Sequence, residues 1–450
     1  MRRICFPLLL ASLVWLAGCG GSSTPASVGP LSGSGSGSSS GSSSGGSSST
    51  GSNVLPVAVN GGPFANQANG SVYENAAFAT VTVCAPGSTT NCTTIDNILV
   101  DTGSPGLRIF QSAVSSLNLP ALNASNGSAA YDCVSFADGS YLWGPVAQAS
   151  VTMGGETAAN VPVQLISSST TGIPTSCSNG STANQNTAAL LGANGILGIG
   201  VEPTDCYYQG GSACSPTSGL TSPPYPAYYT CSGASCTPAF ISTANQVTNP
   251  VVLLPTDNNG VVFELPAASG STASLSGSVL FGIGTESNNQ LASSATILTT
   301  VCDAFTTSFD GQSLGVTNAS TCAGPASFID SGSNGLFFPN VPNLPTCPAN
   351  SPVGDISSFY CPTSTESYSA TNMGQNGASK STSFSVANAQ TLFTSTGTSS
   401  DAVLPTLGGV NPTGYGFDWG LPFFYGVNVY SSIDGQTVPS GTPAAPWWAY

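Results

Sequence analysis

From Val54 to the C-terminus, short apolar runs alternate with clusters of Gly, Pro, Asn and Ser. Ile98-Leu99-Val100, Val251-Val252-Leu253-Leu254 and Val261-Val262-Phe263 are such runs. Stretches with helical periodicity are scarce. Short apolar segments punctuated by turn residues predict an all-β protein built from many short strands. Residues 20–53 read differently: they are almost entirely Ser and Gly. A segment of that kind has too little apolar surface to fold and predicts a flexible linker.

An internal repeat organises the strand-rich part. One copy reads Ile98-Leu99-Val100-Asp101-Thr102-Gly103-Ser104-Pro105-Gly106-Leu107-Arg108, and the other reads Ser327-Phe328-Ile329-Asp330-Ser331-Gly332-Ser333-Asn334-Gly335-Leu336-Phe337. In register they share Asp, Gly, Ser, Gly and Leu, with Thr102 opposite Ser331. A single Asp-Thr-Gly is a weak signal, because Asp and Gly are ordinary turn residues. Two copies, each entered from an apolar strand and left along another, predict two lobes related by a pseudo-twofold axis.

On these residues the chain resembles the pepsin-like aspartic peptidases, and in particular bacterial lipoproteins carrying the same paired motif. Further landmarks follow in order. Phe136-Ala137-Asp138-Gly139-Ser140 resembles the tip of the hairpin flap over the cleft, with Asp138-Gly139 as the turn. Gly195-Ile196-Leu197-Gly198-Ile199-Gly200 and Phe417-Asp418-Trp419-Gly420-Leu421-Pro422-Phe423-Phe424 resemble the segments that cross behind the two Asp loops. Gly277-Ser278-Val279-Leu280-Phe281-Gly282 resembles the strand leading out of the first lobe. The resemblance implies a two-lobed, pepsin-like acid protease fold with an interlobe cleft. It also implies Asp101 and Asp330 as the catalytic pair. Thr102 and Ser331 would lock the two loops together, and Ser104 and Ser333 would hydrogen-bond the outer carboxylate oxygens. Gly103 and Gly332 would allow tight turns and close backbone approach.

The chemistry explains the pairing. Two carboxylates a few ångströms apart cannot both ionise cheaply, so they share a proton. The ionised member takes a proton from water while the protonated one donates to the substrate carbonyl. The chain contains no His, which excludes Ser–His and Cys–His nucleophile pairs. The residues suggest no metal site and no cofactor.

Two positions depart from the pattern. The resemblance places a Tyr in the flap, linked through water to a Trp beyond the first Asp. Here those positions hold Phe136 and Arg108, with Tyr141 or Trp143 as candidate substitutes from the other arm of the hairpin. Arg108 in the cleft would lower the apparent pKa of the pair, bridge to Asp138 on the flap, or hold a substrate carboxylate. Otherwise it is a solvated strand-end residue.

Composition adds the setting. Met1 to Cys19 reads as an export signal: Arg2 and Arg3, an apolar stretch, then Leu16-Ala17-Gly18-Cys19. That ending resembles the bacterial lipobox, with Cys19 as the lipidated residue; the plainer alternative is a cleaved signal with an incidental Cys. Gly20 after it favours the outer membrane. Beyond Cys19 two basic residues face nineteen acidic ones, a formal charge of −17, which excludes nucleic-acid binding and attraction to anionic lipid. Contact with the membrane would run through Cys19 alone. The even set of cysteines in an exported chain predicts disulfides, and their positions suggest Cys84–Cys92, Cys133–Cys177, Cys206–Cys214, Cys231–Cys236, Cys302–Cys322 and Cys347–Cys361.

The sequence thus predicts a signal over 1–19, a linker over 20–53, a first lobe over 54–285 with Asp101 and a second over 286–450 with Asp330. The expected protein is a monomeric, membrane-tethered aspartic endopeptidase acting on a peptide or protein in the cleft. The alternative is a catalytically inactive surface lipoprotein of the same fold that binds a peptide or protein.

Overall fold

The computed structural model describes residues 52–450 apart from 66–71, 209–210, 213, 217–219, 224–226, 317, 320–323, 341–342, 354, 395–400 and 412–415. The export signal, Cys19 and nearly all of the Ser/Gly linker lie outside the described residues.

Among the described residues strands dominate, and helices are confined to a few short turns. A fifteen-stranded sheet holds the first motif copy. There the strand Cys92–Asp101 runs parallel to Gly195–Ile199, which lies antiparallel to Pro105–Phe110, which in turn lies parallel to Glu156–Ile166. The second copy repeats this unit in a separate four-stranded sheet. Phe328–Ile329 runs parallel to Asp418–Trp419, which lies antiparallel to Leu336–Phe338, which lies parallel to Gly408–Val410. Strand order and strand sense are the same in both. The chain is therefore an all-β protein of two lobes related by a pseudo-twofold axis.

Both copies need glycine where the crossing strand meets the Asp loop. A Cβ on Gly198 would sit 2.6 Å from the carbonyl oxygen of Ser104, and one on Gly420 would sit 2.6 Å from that of Ser333. Contacts that short admit no side chain, so the crossing segments lie directly against the loops they support.

The lobes are joined by shared strands. Gly260–Glu264 pairs with Asn428–Ser432, which pairs with the C-terminal strand Trp447–Ala449, which pairs with Ile297–Thr299. The terminal Trp447, Trp448 and Tyr450 are buried there. The core of the first lobe is aliphatic, with Ile98, Val100, Leu107, Ile109, Leu197 and Ile199 all buried. That of the second is aromatic. Phe417 stacks on Trp419 at 4.2 Å and on Phe338 at 5.0 Å, and Phe384 meets Trp419 edge-on. These rings flank Asp418 in sequence and fix its strand by burial of large apolar area.

Five of the expected disulfides are present: Cys84–Cys92, Cys133–Cys177, Cys206–Cys214, Cys231–Cys236 and Cys347–Cys361. Cys302 is also disulfide-bonded, and Cys322 lies outside the described residues. Such a set belongs to an oxidising, exported environment. Among the described residues no helix is long and apolar enough to cross a membrane.

Candidate active site

Each Asp sits at the end of a buried strand, where the chain reverses through Gly and Ser. In the first turn the Gly103 N–H donates to Asp101 Oδ1 at 2.8 Å, and the Ser104 hydroxyl donates to Asp101 Oδ2. In the second the Gly332 N–H donates to Asp330 Oδ1 at 2.7 Å, and the Ser333 hydroxyl lies 2.9 Å from Asp330 Oδ2. Asp-x-Gly-Ser thus satisfies its own carboxylate within a few residues, and the chain does so twice.

The turns are then braced against each other. The Thr102 N–H donates to the Ser331 hydroxyl at 3.0 Å, and the Ser331 N–H donates to the Thr102 hydroxyl at 2.9 Å. Each hydroxyl donates a hydrogen bond to the opposite lobe, Ser331 to the carbonyl of Val100 at 2.8 Å and Thr102 to that of Ile329 at 3.4 Å. Thr102 and Ser331 are buried, as are Asp101 and Asp330. A Cβ on Gly332 would come within 2.7 Å of Asp101 Oδ1 and 3.1 Å of Asp330 Oδ1, so the glycine lies between the two carboxyls.

Asp101 and Asp330 are hydrogen-bonded to each other, which requires a proton between them. Burial raises Asp101 to about 6, and the charge of Asp330 adds to the effect. Burial acts on Asp330 in the same sense. Hydrogen bonds from Asp101, the Gly332 N–H and Ser333 help to outweigh it and hold Asp330 below its ordinary value. The pair titrates as one system, Asp101 the more easily protonated member.

The flap residues form the expected hairpin. Ala130–Ser135 pairs with Tyr141–Met153, with Ser135 opposite Tyr141. At its tip Asp138 Oδ1 accepts from the Ser140 N–H at 2.9 Å and from the Ser140 hydroxyl at 2.7 Å. Gly139 adopts φ +83°, the left-handed conformation that the turn requires. Phe136 is buried among Phe110, Val134, Leu142, Ile166 and Ile196, inside its own lobe. Tyr141 and Trp143 pack around the Cys133–Cys177 bridge with Tyr229.

Arg108 is a correction to the sequence reading. It neither faces Asp138 nor lies in solvent. It is fully buried, 2.5 Å from Asp132 and 3.3 Å from Asp205, with Gln164 also accepting at 3.0 Å. Asp205 is also bonded by the hydroxyl of Tyr228. Burial alone would lower the Arg108 pKa, but the charges of Asp132 and Asp205 raise it instead, and it stays a cation. A strand-end position in the sequence is here an inward-facing one, paired with two buried carboxylates.

Two residues near the pair escaped the sequence reading. Tyr73 packs edge-on against Phe78 at 6.2 Å, and Gly192 has no room for a Cβ beside its ring. Burial, then the charges of Asp138, Asp330 and Asp101, holds its hydroxyl firmly neutral. The hairpin tip and both paired carboxyls therefore converge electrostatically on one phenol. Asp418 is the other: its Oδ2 lies 2.6 Å from the Ser333 hydroxyl. A signal for Asp418 was available in the repeat, where it stands as a carboxyl in an otherwise apolar crossing segment. None was available for Tyr73.

A duplicated four-strand unit, with a carboxyl pair where the two copies meet, defines a two-lobed all-β fold. The chain belongs to the family described as protein of unknown function (DUF3443), whose model matches residues 49–450. Among solved structures it is similar to the aspartic proteinase from Irpex lacteus, at 16% identity and a TM-score of 0.43, over 84% of this chain and 93% of that one. No curated protein matches its sequence.

Proposed function

We propose that the protein is an aspartic-type endopeptidase whose Asp101/Asp330 pair activates water for attack on a peptide bond. One observation carries this reading: the two carboxyls are held together inside a symmetric cage in which Gly103, Ser104, Gly332 and Ser333 satisfy the carboxyl oxygens and Thr102 and Ser331 fix the spacing. A structural Asp needs no such matched partner. Asp330, the ionised member, takes a proton from the attacking water. Asp101, the protonated member, donates to the substrate carbonyl oxygen. The resulting tetrahedral species collapses with transfer of a proton to the leaving amine, and no covalent enzyme intermediate forms.

The substrate is a peptide or protein segment lying in extended form between a first lobe over 54–285 and a second over 286–450. The mature chain is held at the bacterial outer membrane by lipid on Cys19, with the Ser/Gly linker as a tether. A peptide-binding protein without activity is the second reading, favoured by Phe136, which brings no hydroxyl to the flap and is buried within its lobe.

The test is incubation of the exported, disulfide-bonded protein with a denatured protein across pH 3 to 8, beside Asp101→Asn and Asp330→Asn. Cleavage by the parent protein, lost in both variants, is the expected result. No cleavage at any pH from folded protein would leave the binding reading.

A further inference from the structure

Ser333 carries one hydroxyl proton and lies within hydrogen-bond distance of two carboxyls, Asp330 Oδ2 at 2.9 Å and Asp418 Oδ2 at 2.6 Å. It can donate to only one of them. The other must itself be the donor, so one of the two carboxyls holds a proton. Hydrogen bonds from the backbone of Gly332 and from Asp101 stabilise negative charge on Asp330. Asp418 has no comparable support. It is 8% exposed, and its Oδ1 has no hydrogen-bond partner among the described residues. Its strand neighbours on either side are Phe328 and Phe337. Among the described residues, the charged groups that act on it are Asp330 and Asp101, both acidic.

The other lobe supplies an internal control. Asp418 lies opposite the residue two before Asp330 and the residue seven after it. The residue with the same two partners in the first lobe, opposite Leu99 and Arg108, is Ile196. Ile196 is buried in an apolar cluster. The fold therefore does not need a carboxyl at this place; one copy of the repeat carries it and the other does not.

We propose that Asp418 is a positioning residue of the catalytic centre, a third carboxyl that donates its proton to Ser333 and thereby aims the Ser333 hydroxyl at Asp330, keeping Asp330 as the ionised member of the pair. The chain Asp418–Ser333–Asp330 breaks the symmetry between two otherwise equivalent carboxyls. When Asp418 loses its proton it becomes a competing acceptor for Ser333, and Asp330 loses that hydrogen bond. The proposal rests on the peptidase reading for its consequence in catalysis, but not for the proton it places on Asp418.

Asp418→Asn keeps a donor to Ser333 and removes the ionisable group. Asp418→Ile installs the residue of the first lobe and removes the donor. Two measurements are made on the full disulfide-bonded protein, with folding checked by near-ultraviolet circular dichroism. Infrared spectra at pH 7 report protonated carboxyl groups, and the pH profile of cleavage reports the pair. The parent protein shows a protonated-carboxyl band, to which the buried carboxyl of Glu156 also contributes, and both variants lose part of it. The acid limb of the profile moves up in Asp418→Ile, where the Ser333 hydroxyl keeps its bond to Asp330 but loses the donor that aims and polarises it, and less in Asp418→Asn, which still donates to Ser333. A band at pH 7 as strong in both variants as in the parent would overturn the proposal, as would equal acid limbs in parent and Asp418→Ile. If the parent protein cleaves nothing, the infrared result still decides whether Asp418 holds the proton, and only the peptidase reading fails. Should Asp418→Ile not fold, Asp418→Asn and the infrared band carry the test.

Discussion

Thr102 and Ser331 exchange hydrogen bonds across the junction of the lobes, each backbone N–H donating to the other's hydroxyl at 3.0 and 2.9 Å. Neither bond closes within one copy of the motif. The separation of Asp101 and Asp330 is thus set by a contact that exists only when both copies are folded and docked.

Breaking that brace is expected to cost both stability and activity. Thr102→Val leaves the Ser331 N–H without an acceptor in a buried place, a loss of about 1–3 kcal/mol. Thr102→Ser keeps the hydroxyl and recovers most of it. Thermal unfolding of the two variants checks the difference, and equal midpoints would show that the exchange contributes nothing.

The pH dependence of cleavage follows from the pair. The proton on Asp101 is lost as pH rises through about 6, so cleavage falls above that value. On the acid side it falls as Asp330, held below its ordinary value, takes up a second proton. The same shifts act on stability with opposite signs. Asp101, raised on folding, contributes fully below its unfolded value of 3.8 and loses that contribution as pH rises through about 6. Asp330, lowered on folding, contributes above its unfolded value and loses its share as pH falls. A cleavage profile flat from pH 4 to 8 would contradict this assignment.

Arg108→Leu should destabilise the first lobe rather than retune the pair. It leaves Asp132 and Asp205 buried without their cation, a cost of about 3–5 kcal/mol. The check is expression and unfolding of Arg108→Leu beside the triple variant Arg108→Leu, Asp132→Asn, Asp205→Asn. The triple variant is expected to be the more stable of the two. A folded Arg108→Leu with a displaced pH profile would instead put Arg108 back into the catalytic centre.

A second carboxyl pair lies away from the site. Burial raises Glu156 to about 7, aided by a hydrogen bond with Asp257 and the charge of that residue. Its folded value exceeds the unfolded one, so its contribution is full below 4.5 and disappears as pH rises through about 7. Glu156→Gln, which needs no proton, should gain about 1 kcal/mol relative to the parent protein between pH 5 and pH 8. Denaturant unfolding at the two pH values measures it, and a difference independent of pH would refute the shared proton.

The strand-rich fold, the two Asp loops, the flap hairpin and the disulfide pairs were legible along the chain. The Asp-x-Gly-Ser turn closes hydrogen bonds between residues two and three apart, so its geometry is written in the local sequence. Asp138-Gly139 is a turn signal of the same short range. Most of the cysteine pairs are also close neighbours; Cys231 and Cys236 are five residues apart on adjoining strands of one hairpin.

Arg108, Tyr73 and Asp418 were decided by packing. Which way Arg108 faces depends on Asp132 and Asp205, 24 and 97 residues away, and on the apolar lobe that closes over all three. Asp418 reaches Ser333 across 85 residues, and only the parallel pairing of Phe328 with Asp418 brings the two together. The sequence by itself determined that two carboxyls would be presented by two equivalent turns. The tertiary structure decided which other charges surround them, because a buried side chain takes its partners from whatever the packed strands bring within hydrogen-bond reach, and sequence separation places no limit on that choice.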